Sequence, residues 1–148
     1  MQQYSMELIT AFLGSLGFAM LFHVRSAEKL LFASLGGLLA WGVYLLMGFF
    51  SGEDVIRYFF ASVILTVYGE IMARVEKCPA TLFIVTASVP LIPGGSLYHT
   101  MEYFMDNDFA ACSMQGLKTL LLAVSIAVGM LFPTSIFQLY QKLVSKRQ

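Results

Sequence analysis

The chain has 148 residues, of which 58% are hydrophobic and only 12% are charged, and its mean hydropathy is +0.76. Soluble domains carry about 25% charged residues, so this composition indicates an integral membrane protein. Nine basic residues balance nine acidic ones. That balance leaves no basic stripe or acidic tail and argues against a nucleic-acid partner.

Five segments contain the roughly 20 mainly apolar residues that a membrane-spanning helix needs. In chain order they are residues 8–24, 30–50, 55–75, 80–105 and 117–139. The connections between them are short, so consecutive helices should run antiparallel. We therefore predict an all-α integral membrane protein with five transmembrane helices, in which residues 1–148 form a single transmembrane domain within the lipid bilayer.

Lysine and arginine are unevenly distributed between the two sets of connections. If the N-terminus is outside, the cytoplasmic segments contain seven of the nine basic residues, namely Arg25, Lys29, Arg74, Lys77, Lys142, Lys146 and Arg147. Only Arg57 and Lys118 then lie on the outer side. Because basic residues are enriched in cytoplasmic loops, we predict an N-out, C-in orientation.

The two cysteines are predicted to lie on opposite sides of the membrane. Cys78 falls in the inner loop between the third and fourth helices, and Cys112 falls in the outer loop before the fifth. A bilayer separates them, so they should not form a disulfide. Neither has a second Cys or a His at metal-ligand spacing, and we expect no metal site.

The fourth segment cannot form one unbroken helix. It contains the sequence PLIPGGSLYH from Pro90 to His99, in which two prolines remove backbone donors and a glycine pair weakens the helix. We predict a break from Pro90 to Gly95, near the middle of the membrane. Freed backbone groups are tolerated at that depth only where protein or a water-filled cavity covers them, so the break is a candidate site.

The second half of the broken helix should begin near the middle of the membrane. Its unpaired N–H groups and positive dipole end would point into the protein interior and suit a carboxylate. Ser96 or Gly95 would cap it, and Gly94 and Gly95 would let a ligand approach the backbone. The alternative is a proline kink that only shapes the bundle.

A polar face follows the break. Ser96, His99 and Glu102 are spaced by three residues, with Tyr98 beside them, and such a face on a membrane helix should turn inward. An intramembrane hydrolase with Ser96 as nucleophile and His99 as base is a weak alternative, because no oxyanion donors or orienting acid can be identified. We therefore assign no catalytic residue and no cofactor, and expect no enzymatic activity.

Glu70 is a second ionisable residue within a predicted span. An acidic group at such a position is a candidate for function, here for carrying a proton that couples transport to a gradient. Arg74 lies four residues later, in the order that favours an ion pair along a helix. Both interpretations remain open from the sequence.

The segment from Val89 to Tyr98, together with the sequence GFAMLFHV at residues 17–24, resembles the small-subunit branch of the threonine/serine exporter family. The resemblance covers nearly the whole chain and includes the number of helices. It rests most strongly on the pattern Pro-x-x-Pro-Gly-x-x-x-Tyr. By this resemblance, Pro90, Pro93, Gly94, Gly95 and Tyr98 are candidates for the substrate site or pathway, to which we add Ser96, His99 and Glu70 on physical grounds.

The resemblance implies an exporter in the cell inner membrane for small amino acids such as threonine and serine, or for a dicarboxylate such as succinate. Family members occur as one long chain or as a small five-helix protein that works with a larger subunit. We therefore expect a larger membrane subunit of the same family, or a second copy, as partner. The alternative is a structural or assembly subunit that does not line the transport path.

Overall fold

The computed structural model describes residues 2–22, 24 and 26–145, and these form helices joined by short turns, with no strand among them. The helices are α1 (Gln2–Leu21), α2 (Ala27–Phe50), α3 (Asp54–Val75), α4 (Ala80–Ala87), α5 (Gly94–Met105) and α6 (Phe109–Ser145). A single 3-10 turn, Val89–Leu91, joins α4 to α5. The all-α prediction is confirmed.

Four helical segments of the described residues are long and apolar enough to cross a membrane: Tyr4–Leu21, Ala27–Phe50, Asp54–Val75 and Phe109–Tyr140. The pair Ala80–Ala87 and Val89–Met105 meets the same criterion as one unit, with a bend of 43° at its break. The chain therefore has four candidate spans, or five if the bent pair is counted as one span. The bend lies in the segment where the sequence predicted it.

The predicted start of the last helix is wrong. The last helix begins at Phe109 rather than at residue 117, so Cys112 lies inside α6 and not in a loop. The reason is a capping interaction: the Asp108 carboxylate accepts a hydrogen bond from the Ala111 amide at 3.0 Å, which starts the helix before the apolar run does. Asn107 has a left-handed φ of 59° and makes the tight turn from α5.

The first helix also begins earlier than the hydropathy pattern indicated. It starts at Gln2 rather than at residue 8, so Glu7 is a helical residue within the candidate span Tyr4–Leu21.

Both cysteines are free thiols. Arg25, Lys146 and Arg147, on which the orientation argument partly depends, and His23 of the second family-like segment lie outside the described residues.

Small residues allow the helices to approach closely. A Cβ on Gly36 would meet Ala87 and Tyr68 at 2.9 Å, and one on Gly129 would meet the Phe59 carbonyl at 2.8 Å and the Ser62 hydroxyl. Such contacts stabilise helix association in lipid, where apolar surface gives little driving force. They fix α2 against α3 and α4, and α3 against α6.

The two helices of the bent pair, α4 and α5, pack against different parts of the bundle. The 3-10 turn packs against α1 and α2, and its Leu91 is completely buried. Helix α5, in contrast, packs mainly against α6 and has no buried residue. The break therefore leads the chain from the interior to the periphery.

Replacement of Gly129 with alanine should destabilise the protein by about 1–3 kcal/mol, because the added methyl group overpacks the α3–α6 contact. Thermal unfolding in detergent measures the effect. Gly116→Ala is the matched control in the same helix, since its Cβ would meet only Thr100 at an ordinary 3.5 Å. Equal stability of the two variants would contradict the assigned packing.

Candidate functional site

The break between α4 and α5 begins at Ser88 and ends at Pro93. The amide of residue 90 is a proline nitrogen, so the Thr86 carbonyl has no helical donor four residues later. Short hydrogen bonds replace part of the ladder: Leu91 N–H donates to the Ser88 carbonyl at 2.9 Å, and Ile92 N–H donates to the Val89 carbonyl at 3.2 Å. The break is thus set by Pro90 and stabilised as a 3-10 turn, and it lies two residues before the predicted position.

An open cavity of about 230 Å³ lies beside the break, between α1 and α2. It is lined by Glu7, Thr10, Ala11, Gly14, Trp41, Val89 and Pro90. We call it the inner cavity. Of the residues predicted from the sequence, Pro90 alone lines it; its acidic and aromatic groups come from α1 and α2.

A second cavity of about 370 Å³ adjoins the first on the side of the α1 N-terminus. It is lined by Tyr4, Glu7, Trp41, Tyr44, Leu45, Gly48, Phe49 and Arg57, and we call it the outer cavity. Glu7 and Trp41 line both cavities. The Trp41 Nε1–H donates to Glu7 Oε2 at 3.3 Å, so this pair marks the junction between them.

Charged groups at the end of the outer cavity are paired with each other. Arg57 Nη1 lies 3.4 Å from Asp54 Oδ1, and Arg57 Nε donates to the Ser51 carbonyl at 3.2 Å. The guanidinium also lies 5.4 Å from the centre of the Tyr44 ring. Asp54 makes a further ion pair with Lys118 at 2.9 Å. These contacts tie the start of α3 to α2 and α6.

The first turn of α5 differs from the prediction. Pro93 occupies the cap position and no side chain caps the helix, so the predicted capping by Ser96 or Gly95 is wrong. Gly94 and Gly95 are exposed, and a Cβ on either would meet nothing within 4 Å. This turn therefore lies at the surface of the chain rather than in its interior, because α5 has only α6 as a close neighbour.

Ser96 belongs to a hydrogen-bonded cluster between α5 and α6. Its Oγ lies 2.8 Å from Thr119 Oγ1 and accepts a hydrogen bond from Gln115 Nε2 at 3.1 Å. The Thr100 hydroxyl lies 3.3 Å from Thr119 Oγ1 and donates to the Ser96 carbonyl at 2.9 Å. The Ser96 side chain therefore holds α5 against α6.

The rest of the predicted polar face does not turn toward α6. His99 Nδ1 and Glu102 Oε2 are 2.9 Å apart, and both side chains are about half exposed, at 55% and 47%. Tyr98 is 65% exposed. The expectation that Tyr98, His99 and Glu102 would face the interior of this chain is therefore wrong. The side of α5 that packs against α6 is the one that carries Ser96. The structure does not bring His99 to Ser96.

Glu70 is nearly buried and forms the ion pair that its spacing suggested. Its Oε2 lies 3.6 Å from Arg74 Nη2, and the Arg74 guanidinium stacks 4.4 Å from the centre of the Phe137 ring. Neither the inner nor the outer cavity is lined by Glu70. The structure thus shows the pairing, while a proton-carrying role stays a prediction.

Sequence reasoning missed the two residues shared by the cavities. Glu7 was placed outside the first span, which was predicted to begin at residue 8, and Trp41 lies within the predicted span 30–50 but was not a candidate site residue. The signal for Glu7 was present in Tyr4 and the apolar residues that follow it, which continue the helix toward the N-terminus. The pairing of residues 7 and 41 depends on how α1 crosses α2, which no local pattern specifies.

These features define a multi-pass helical membrane protein with a bent helix pair beside a cavity, and discontinuous helices of this kind occur in secondary transporters. The family model described as "Threonine/Serine exporter, ThrE" matches residues 7–136 of the 148-residue chain. The chain belongs to this family, and the resemblance noted in the sequence is confirmed. No curated protein and no solved structure gives a significant match to the chain.

Thr119→Val should loosen the docking of α5, because it removes the hydroxyl that contacts both Ser96 and Thr100. Hydrogen bonds between membrane helices are worth about 0.6 kcal/mol on average and at most about 1.7 kcal/mol, so we expect faster amide hydrogen exchange across α5. Thr134→Val is the control, since its hydroxyl donates only to the Met130 carbonyl of its own helix. Unchanged exchange in α5 would contradict the role given to the cluster.

Proposed function

We propose that this chain is a subunit of a membrane transporter that exports small carboxylate-bearing solutes, either threonine- or serine-like amino acids or a dicarboxylate such as succinate. Membership of the threonine/serine exporter family supports the transport class. The observation that carries the proposal is the interrupted span with a cavity against Pro90. We propose five spans in the inner cell membrane, N-out and C-in, and a role that involves neither catalysis nor a cofactor.

The break offers what a solute carboxylate needs. The first N–H groups of α5 have no partner within their own helix, and the exposed Gly94 and Gly95 place no side chain over them. Discontinuous helices bind anionic solutes with such ends in other secondary transporters. In this chain the N-terminal end of α5 is exposed. A neighbouring subunit would therefore complete the site.

The exposed face of α5 supports a protein partner. The His99 and Glu102 pair and the Tyr98 hydroxyl are polar groups that lipid does not solvate, and α6 leaves them uncovered. We propose that a larger subunit of the same family, or a second copy of this chain, covers this face. Alternating access would then occur between the two subunits around α5.

The proposal predicts export by the complete assembly and its loss without this chain. Cells or vesicles that contain this chain and a larger family subunit should export threonine, serine or succinate above the level of the larger subunit alone. The same measurement in the absence of this chain should return export to background. Full export by the larger subunit alone would contradict the proposal.

Cysteine accessibility distinguishes a path-lining subunit from one that only supports assembly. In a Cys78→Ala, Cys112→Ala background, Gly95→Cys, Tyr98→Cys and His99→Cys should be labelled less when the exported solute is present. Gly52→Cys, in the turn between α2 and α3, is the control and should be labelled equally with and without solute. Equal labelling with and without solute at all three positions would favour the alternative, a subunit that only supports assembly.

Glu70 is proposed to carry a proton that couples export to a gradient. Glu70→Gln should then abolish the response of export to an imposed pH gradient, whereas Arg74→Gln should retain it. If Glu70 serves only the ion pair with Arg74, both variants should have the same effect on stability and neither should change the pH response.

A further inference from the structure

Glu7 is a partly buried acidic residue of α1, and no basic side chain of the described residues forms an ion pair with it. It lies near the start of the candidate span Tyr4–Leu21, and its hydrogen bond to Trp41 places its carboxylate beside the C-terminal half of α2. Ionisable side chains within membrane-spanning segments are rare, and an unpaired one is a candidate for function.

The contacts of Glu7 leave room for a cation. Oε2 accepts one hydrogen bond, the rather long 3.3 Å bond from Trp41 Nε1. The Thr10 hydroxyl donates instead to the backbone carbonyls of Met6 and Glu7, at 3.0 and 2.9 Å. Among the described residues, the ion pairs of Arg57, Arg74 and Lys118 are all made with Asp54 or Glu70. A carboxylate offers about four acceptor positions, so most of those on Glu7 remain for a ligand.

The two cavities give this carboxylate access to a small solute. The inner cavity of about 230 Å³ is smaller than the roughly 300–1,000 Å³ of sites for drug-sized ligands, so it suits a solute of a few heavy atoms. Glu7 and Trp41 line the junction of the inner and outer cavities. A solute that moves from the break toward the α1 N-terminus passes this junction.

We propose that Glu7 and Trp41 bind the ammonium group of an amino-acid solute. A primary ammonium is compact, carries three donors and needs acceptors around it. The carboxylate supplies acceptors and the opposite charge, and the indole ring supplies a face that attracts cations. Cation recognition by these two residues is independent of the anion site proposed at α5, from which it is separated by the 3-10 turn.

This inference rests on the proposed function and narrows its substrate class. The chemistry of Glu7 favours a solute that carries an amine over one that has carboxylates alone, because an unpaired carboxylate repels a second one. Of the two solute classes left open above, amino acids such as threonine and serine are thus preferred to succinate.

Trp41 is the single tryptophan of the sequence, so its fluorescence reports on the junction directly. The full chain in lipid nanodiscs is titrated with L-serine, with ethanolamine, which lacks the carboxylate, and with D-glycerate, which lacks the amine. Serine and ethanolamine should change the emission with saturation, and glycerate should not. An emission response to glycerate equal to that to serine would overturn the assignment of the ammonium group.

Glu7→Gln isolates the role of the charge, because the amide oxygen still accepts a hydrogen bond from Trp41. We expect serine and ethanolamine to bind at least about 10-fold more weakly, which is the effect of losing one charge-assisted hydrogen bond. Glu28→Gln, at the exposed start of α2, is the matched control and should bind like the unmodified chain. Equal affinities in Glu7→Gln and Glu28→Gln would overturn the proposal.

A second measurement uses the unmodified chain and does not depend on the folding of a variant. A hydrophobic carbodiimide modifies Glu7, and mass spectrometry of the peptide that contains it measures the extent. Serine and ethanolamine should protect Glu7 from modification, whereas glycerate should not. Absence of protection, together with unchanged Trp41 emission, would reject the site.

Binding without export would refute the proposed function alone, and export with unchanged binding by Glu7→Gln would refute the ammonium site alone.

Discussion

The need to satisfy backbone hydrogen bonds away from water is the constraint on which the rest of this structure depends. A proline at position 90 leaves the Thr86 carbonyl without its helical donor, and a chain within lipid cannot leave such a group exposed. The protein responds by placing the turn Val89–Leu91 against α1 and α2 and by burying Leu91 completely. The inner cavity lies beside this turn, with Val89 and Pro90 in its lining.

Close packing of small residues complements that constraint. Gly36 admits Ala87 and the Tyr68 ring, so the end of α4 can reach the bundle interior. The Tyr68 hydroxyl then donates to the Phe32 carbonyl at 2.8 Å, which adds a polar contact between α2 and α3. The short helix α4 therefore packs against α2 and α3, whereas α5 packs mainly against α6, so the two helices of the bent pair are held by different neighbours.

Much of this architecture could be predicted from the sequence, and the limits have physical causes. The apolar segments, the break near Pro90 and the family resemblance follow from composition and local residue pattern, and the Glu70–Arg74 pair follows from helical spacing. The start of α6 was missed because Asp108 caps it within a polar stretch. The direction of the α5 face and the pairing of Glu7 with Trp41 could not be predicted, because both depend on helix rotation and crossing, to which residues far apart in the chain contribute.

The length of α6 has a consequence for how the chain sits in a bilayer. Its 37 residues correspond to about 55 Å at 1.5 Å per residue, whereas the hydrocarbon layer is about 30 Å thick. Even a strongly tilted helix of this length must leave the hydrocarbon, and the exposed Lys142 in its last turn identifies the end that emerges. The C-terminal turns of α6 therefore extend beyond the hydrocarbon layer as helix, so an aqueous compartment meets a helix end there rather than a loop.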